Sequence, residues 1–119
     1  MAGYGALCKA VSELHSNAEV VLVLSKGKLA ASHMKSGGPA PDEGEFRKML
    51  SQLETVITTV KTNEDKFGEL QFVAIHYKYV DGLFFPINVD DTLIVGIMPP
   101  YDSDLLARIS TLIKEEQQA

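Results

Sequence analysis

The stretch from Gly68 to Met98, GELQFVAIHYKYVDGLFFPINVDDTLIVGIM, constrains the fold more than any other part of the chain. Its apolar runs are too short and too β-branched for helices, and they are broken by turn-forming residues, so it reads as three successive strands. Asp81-Gly82 lies between apolar runs and predicts a hairpin turn over Val80-Asp81-Gly82. Asp90-Asp91 predicts a second turn, formed through side chains that bond back to the local backbone. The first strand is predicted over 69–79. It carries apolar or aromatic groups on both faces: Leu70, Phe72 and Ala74 on one, Val73, Ile75, Tyr77 and Tyr79 on the other. Such a strand wants cover on both sides, and its length leaves an edge free to pair beyond the chain.

The elements before and after it follow from periodicity. Tyr4, Leu7, Val11 and Leu14 have helical spacing and predict a first helix over 4–15. Glu19 to Leu24 and Lys28 to Met34 form a predicted hairpin that turns at Gly27. The Gly-Gly-Pro-Ala-Pro segment within 35–41 reads as a surface loop. Asp42 and Glu45 have the spacing of a capping box. Phe46, Met49, Leu50, Leu53, Val56, Ile57 and Val60 then trace a wide apolar stripe on a helix over 42–61. Residues 61–67 read as a polar loop. Pro99-Pro100 stops the last strand, Asp102 or Ser103 caps a final helix through Ile113, and 115–119 is expected to fray.

The predicted order is therefore α-β-β-α-β-β-β-α. It describes an α+β single domain over 1–119 with a five-stranded antiparallel sheet. The middle helix is expected on one face and the terminal helices on the other. A chain of 119 residues that is 45% hydrophobic holds one core of ordinary size.

Composition narrows the function classes. A net charge of -5 argues against general affinity for nucleic acid or anionic membranes. A single cysteine, Cys8, cannot form an internal disulfide, and no apolar run approaches a membrane span. The start of the sequence lacks a basic segment followed by an apolar run, so a cytoplasmic location is expected.

Chemistry-bearing motifs are sparse. His15, His33 and His76 fall on three different elements, without metal-ligand spacing, and Cys8 reads as a small buried hydrophobe. Gly3-Tyr4-Gly5 has neither the preceding strand nor the following Gly-Lys of a phosphate loop. Asp90, Asp91, Asp102 and Asp104 read as turn and helix-start charges. With no paired carboxylates, nucleophile with base, or cofactor fingerprint, no catalytic, cofactor-binding or metal site is expected, and the chain reads as a non-enzyme.

What remains is surface. The free edge of strand 69–79 is satisfied economically by two-fold pairing with its copy, helix beside helix. The residues predicted at that interface are Met49, Val56, Leu70, Phe72, Ala74 and His76.

NAEVVLVLSKGKLAAS, a middle helix, then Asp81-Gly82, Leu83 to Ile87, Asp90-Asp91 through Ile97 and a closing helix resemble the Roadblock/LC7 family over nearly the whole chain. The resemblance rests on turns, apolar runs and element order. The Gly-Gly-Pro-Ala-Pro loop departs from it. It implies a profilin-like architecture and a homodimer or heterodimer with a paralogous chain, formed through the middle helix and third strand. It also implies a platform that binds and regulates or scaffolds a Ras-like small GTPase, without catalytic machinery of its own. The polar side of the middle helix (Arg47, Lys48, Ser51, Glu54, Thr55 and Thr58) is the expected partner surface. A small-molecule-sensing or profilin-like actin-binding domain is the alternative.

Overall fold

In a computed structural model, the structure describes residues 3–35 and 43–118, with the side chains of 43, 45 and 46 left aside. The described chain runs α1 (Tyr4–Ser12), β1 (Ala18–Ser25), β2 (Lys28–Met34), α2 (Glu43–Lys61), α3 (Glu64–Phe67), β3 (Val73–His76), β4 (Asp81–Pro86), β5 (Asp91–Ile97) and α4 (Ser103–Gln118). The loop over 36–42, the capping box of Asp42 and Glu45 and the side chain of Phe46 lie outside what is described.

The five strands form one antiparallel sheet in the order β2-β1-β5-β4-β3. Period-two alternation sends successive side chains to opposite faces, and both faces are covered. Val21, Val23, Leu83, Phe85, Leu93, Val95 and Ile97 point to one side, where α1 supplies Leu7, Cys8 and Val11 and α4 supplies Leu105, Ile109 and Ile113. Leu22, Leu24, Phe84 and Ile94 point to the other side, against Leu50 and Leu53 of α2. The expected layers are thus present, one helix on one face and two on the other. Each buried Leu, Val or Phe in these layers contributes about 1.5–3 kcal/mol, which makes the layers the main source of stability.

Several boundaries move. The helix expected over 4–15 ends at Ser12, whose side chain is buried. The polar loop over 61–67 contains α3, closed by the Phe67 amide on the Asn63 carbonyl at 3.0 Å. The expected frayed tail is helical through Gln118, and the Gln117 amide donates to the Ile87 carbonyl.

The largest correction concerns the strand predicted over 69–79. Only Val73–His76 pairs, with Val73 opposite Phe84 and His76 opposite Asp81. At one end the ladder stops short of Pro86, which has no N–H to offer a neighbour. At the other end the chain turns over 77–80, closed by the Tyr77 amide on the Val80 carbonyl at 3.0 Å. Asp81 and Gly82, expected in the turn, are the first residues of β4. Gly82 is needed there for space. A β-carbon would sit 3.0 Å from the Phe84 ring, which folds back over it.

The β1–β2 turn is where the sequence places it. Lys26 (φ 54°) and Gly27 (φ 77°) are both left-handed between the paired Ser25 and Lys28, the geometry of a two-residue primed turn. The β4–β5 turn is built by Asn88 as much as by the aspartates. Its side-chain oxygen accepts from the amides of Asp90 and Asp91, each at 2.9 Å. Asp102 caps α4 through the Leu105 amide, at 3.3 Å.

Candidate functional site

α2 lies across the sheet with three distinct sides. Leu50, Leu53 and Ile57 face the sheet. At 100° per residue, Met49, Val56 and Val60 line one flank, and Ser51, Glu54 and Thr58 line the other. Each flank leads to a different surface.

The Met49 flank looks toward the β3 side of the molecule, because Val60 on that flank adjoins Phe67, Leu70 and Gln71, the segment that leads into β3. Met49 and Val56 are 40% and 39% exposed, too open for core residues. β3 is an edge strand, and its outer backbone groups have no strand partner among the described residues. Around it Phe67, Phe72, Tyr77 and Tyr79 are exposed. Among the expected interface residues, Ala74 and His76 are exposed and share the α4-side face of β3. Leu70 and Phe72 precede the strand rather than belonging to it. The Leu70 amide is held by the Glu64 carboxylate at 2.7 Å, and the Phe72 ring leans on Phe85 with centroids 5.6 Å apart. Val73 and Ile75 pack under α2 and fix the strand's height on the sheet.

His76 is not isolated. Its Nδ1 contacts the Asp81 carboxylate across the β3–β4 pair, and the same carboxylate accepts the Tyr101 hydroxyl at 2.5 Å. The bonds from Tyr101 and His76 hold Asp81 below the usual carboxylate range, against the opposing effect of burial. Burial, together with the Asp81 bond and charge, pushes the Tyr101 hydroxyl up to about 12. A parallel pair ties α1 to β5, where the Tyr4 hydroxyl donates to Asp91 and is pushed up to about 12, first by burial and then by that carboxylate. Burial works against the charge of Asp91, but bonds from Ser25, Tyr4 and Asn88 and the nearby Lys26 outweigh it, and its carboxyl lies below the usual range. These are structural ties that fasten α1 and the segment leading into α4 to the sheet. Cys8 is fully buried, and its thiol is pushed up to about 11 by that burial, which suits a packed hydrophobe and not a nucleophile. Among the described residues, no group of His, Cys, Asp and Glu is arranged to hold a metal ion.

The Glu54 flank borders an open groove of about 630 Å³ between the second half of α2 and the β4–β5 turn. Ser51, Glu54, Thr55 and Thr58 are brought together there, facing Asn88, Val89 and Asp90. Arg47 and Lys48 are exposed about one helical turn before Ser51 and do not line it. The groove's outer wall is fastened to the sheet, since the Lys26 amide donates to the Asp90 carbonyl at 2.8 Å and joins the two turns at that end. The sequence could not point to the wall residues, because they come from a turn thirty residues beyond the helix.

A five-stranded antiparallel sheet with one helix on one face and two on the other, entered by a helix and an early hairpin, defines the architectural class. The chain has the Roadblock/LC7 fold. A Roadblock/LC7 domain from Streptomyces avermitilis superposes with a TM-score of 0.74 at 15% identity, over 96% of this chain and 94% of that one. Myxococcus xanthus MglB gives 0.69 at 15% identity over 96% and 94%. An MglB described with a tetrameric arrangement gives 0.71 at 10% identity over 98% and 89%. No protein-family model and no curated protein matches the sequence itself. No described helix is long and apolar enough to cross a membrane.

Proposed function

We propose that this chain is a non-catalytic interaction platform. It pairs with a second copy or a paralogous chain through the free edge of β3 and the Met49–Val56 flank of α2, and it binds and regulates a Ras-like small GTPase. The observation that carries this reading is the coincidence of an unpartnered edge strand with an exposed apolar helix flank on one side of the sheet. An isologous contact there covers both at once and extends the sheet across a two-fold axis. The tetrameric arrangement of one MglB neighbour is consistent with self-association in proteins of this fold. The GTPase partner comes from the Roadblock/LC7 resemblance, which the fold supports. Its surface on this reading is the polar side of α2, from Arg47 and Lys48 to Thr58.

Ala74 is exposed at the β3 edge and makes no core contact that a larger side chain would break. Light scattering across a concentration series is expected to give twice the chain mass for wild type and the single mass for Ala74→Glu, with unchanged circular dichroism. A wild-type monomer at every concentration removes the pairing. Capture of a GTP-loaded Ras-like GTPase by the immobilised chain tests the platform separately. Lys48→Glu with Thr55→Arg is expected to abolish capture while the dimer persists.

A further inference from the structure

The groove between α2 and the β4–β5 turn has mixed walls, in which two carboxylates and two hydroxyls with no proton to spare stand among Ile57, Val89 and other polar groups. The Thr55 hydroxyl donates to the Ser51 carbonyl at 3.1 Å, and the Thr59 hydroxyl donates to the Thr55 carbonyl at 2.7 Å. Each hydroxyl has spent its one proton inside the helix and offers only oxygen lone pairs outward. Glu54 and Asp90 stand on opposite walls and are acceptor-only when ionised. Neither has an ion-pair partner among the described residues. Lys61, at the helix end, is the single lysine in the lining.

The same two carboxylates also rim a second, smaller hollow directly beneath. It is floored by Leu50, Leu53, Ile57 and Phe84, and at about 20 Å³ it is too small to take a side chain. Ile57 lines both spaces and gives the groove an apolar patch beside the two carboxylates, a combination that suits a group with an apolar stem and a flat, donor-rich end. Arginine has that shape. Its methylenes cover apolar surface while its guanidinium carries five donors in a plane and can address two carboxylates at once. A lysine is a compact point charge that satisfies the walls less completely.

We infer that this groove is a docking site for an extended segment of a partner protein that inserts an arginine between Glu54 and Asp90. The occupant is chosen by charge and donor complementarity. An acidic segment would meet two like charges, and an apolar one would leave the acceptors without donors. Val89, 90% exposed at the rim, offers an apolar contact to a neighbouring residue of the same segment. The inference rests on the platform reading only in taking the polar side of α2 as the partner-facing surface.

The test uses a short fluorescent peptide with two arginines in an alanine–serine background, a twin with citrulline at both positions, and the full chain. Fluorescence anisotropy is expected to show binding of the arginine peptide and none of the neutral twin. Glu54→Gln with Asp90→Asn is expected to weaken binding about tenfold or more. Glu13→Gln with Glu115→Gln removes the same charge from exposed positions elsewhere and is expected to leave binding unchanged. Equal weakening by the two double variants, equal binding of the citrulline twin, or no binding to wild type each overturns the inference. A separate outcome bears on the platform alone: peptide binding that depends on Glu54 and Asp90, with no GTPase captured, retains the groove and removes the GTPase reading.

Discussion

The two faces of the sheet are made of similar residues and are finished differently. On the α1/α4 side, two helices close over an unbroken layer, and polar ties lace them down: Tyr4 to Asp91, Tyr101 to Asp81 and Gln117 to Ile87. On the α2 side, one helix covers a smaller cluster. Its flanks stay open, apolar toward β3 and acceptor-rich toward the β4–β5 turn. The contrast teaches a division of labour. One face supplies most of the buried apolar surface, while the other leaves the flanks of its helix open.

The comparison is broken most directly by truncation. Phe85→Ala, on the closed face, is expected to cost about 3–5 kcal/mol in urea unfolding. Met49→Ser with Val56→Ser, on the open flank, is expected to stay within about 0.5 kcal/mol when measured on the monomer at low concentration. A large loss from the flank pair would mean that it belongs to the core. Gly82→Ala gives a smaller effect and sharpens the boundary between the faces. The Phe84 ring must move by tenths of an ångström to admit the methyl group, and the expected loss is about 1–3 kcal/mol in the same assay.

The mildest effect comes from pH. Asp81 and Asp91 are lowered in the fold, so their contribution is present above the ordinary carboxylate range near about 4 and is lost as the pH falls through their native values. Tyr4 and Tyr101 are raised to about 12 in the fold, so their contribution is full below the ordinary value near 10 and is lost as the pH rises toward 12. Unfolding midpoints measured against pH are expected to fall at both ends. Tyr4→Phe with Tyr101→Phe is expected to flatten the alkaline limb. An unchanged alkaline limb would remove the tyrosine ties from the closed face.

The periodic core of both faces was legible in the sequence, and the β3 edge and the groove only in part. The helix stripe from Leu50 to Ile57, the alternation through β1 and β5 and the Lys26-Gly27 turn all follow from local period and turn chemistry, and the structure has them. The β3–β4 turn misled because Asp81-Gly82 carries the strongest local turn signal in the chain. Asp81 is instead held by Tyr101, twenty residues downstream, and Gly82 makes room for a ring two residues on. Neither cause is visible within a short window. α3 was missed because a single turn shows no period. The expected partner residues Ser51, Glu54, Thr55 and Thr58 do share one groove, while its far wall depends on Asn88 and the long-range pairing of two turns.

The amide bond from Lys26 to Asp90 has a consequence for recognition kinetics. It fastens the tip of one hairpin to the tip of another, so the far wall of the groove is already ordered before any partner arrives. A segment docking there would freeze little beyond the rotamers of Glu54 and its own backbone, and less of the contact energy is spent on ordering the site. Such a pre-shaped half-site favours rapid capture over slow mutual adjustment.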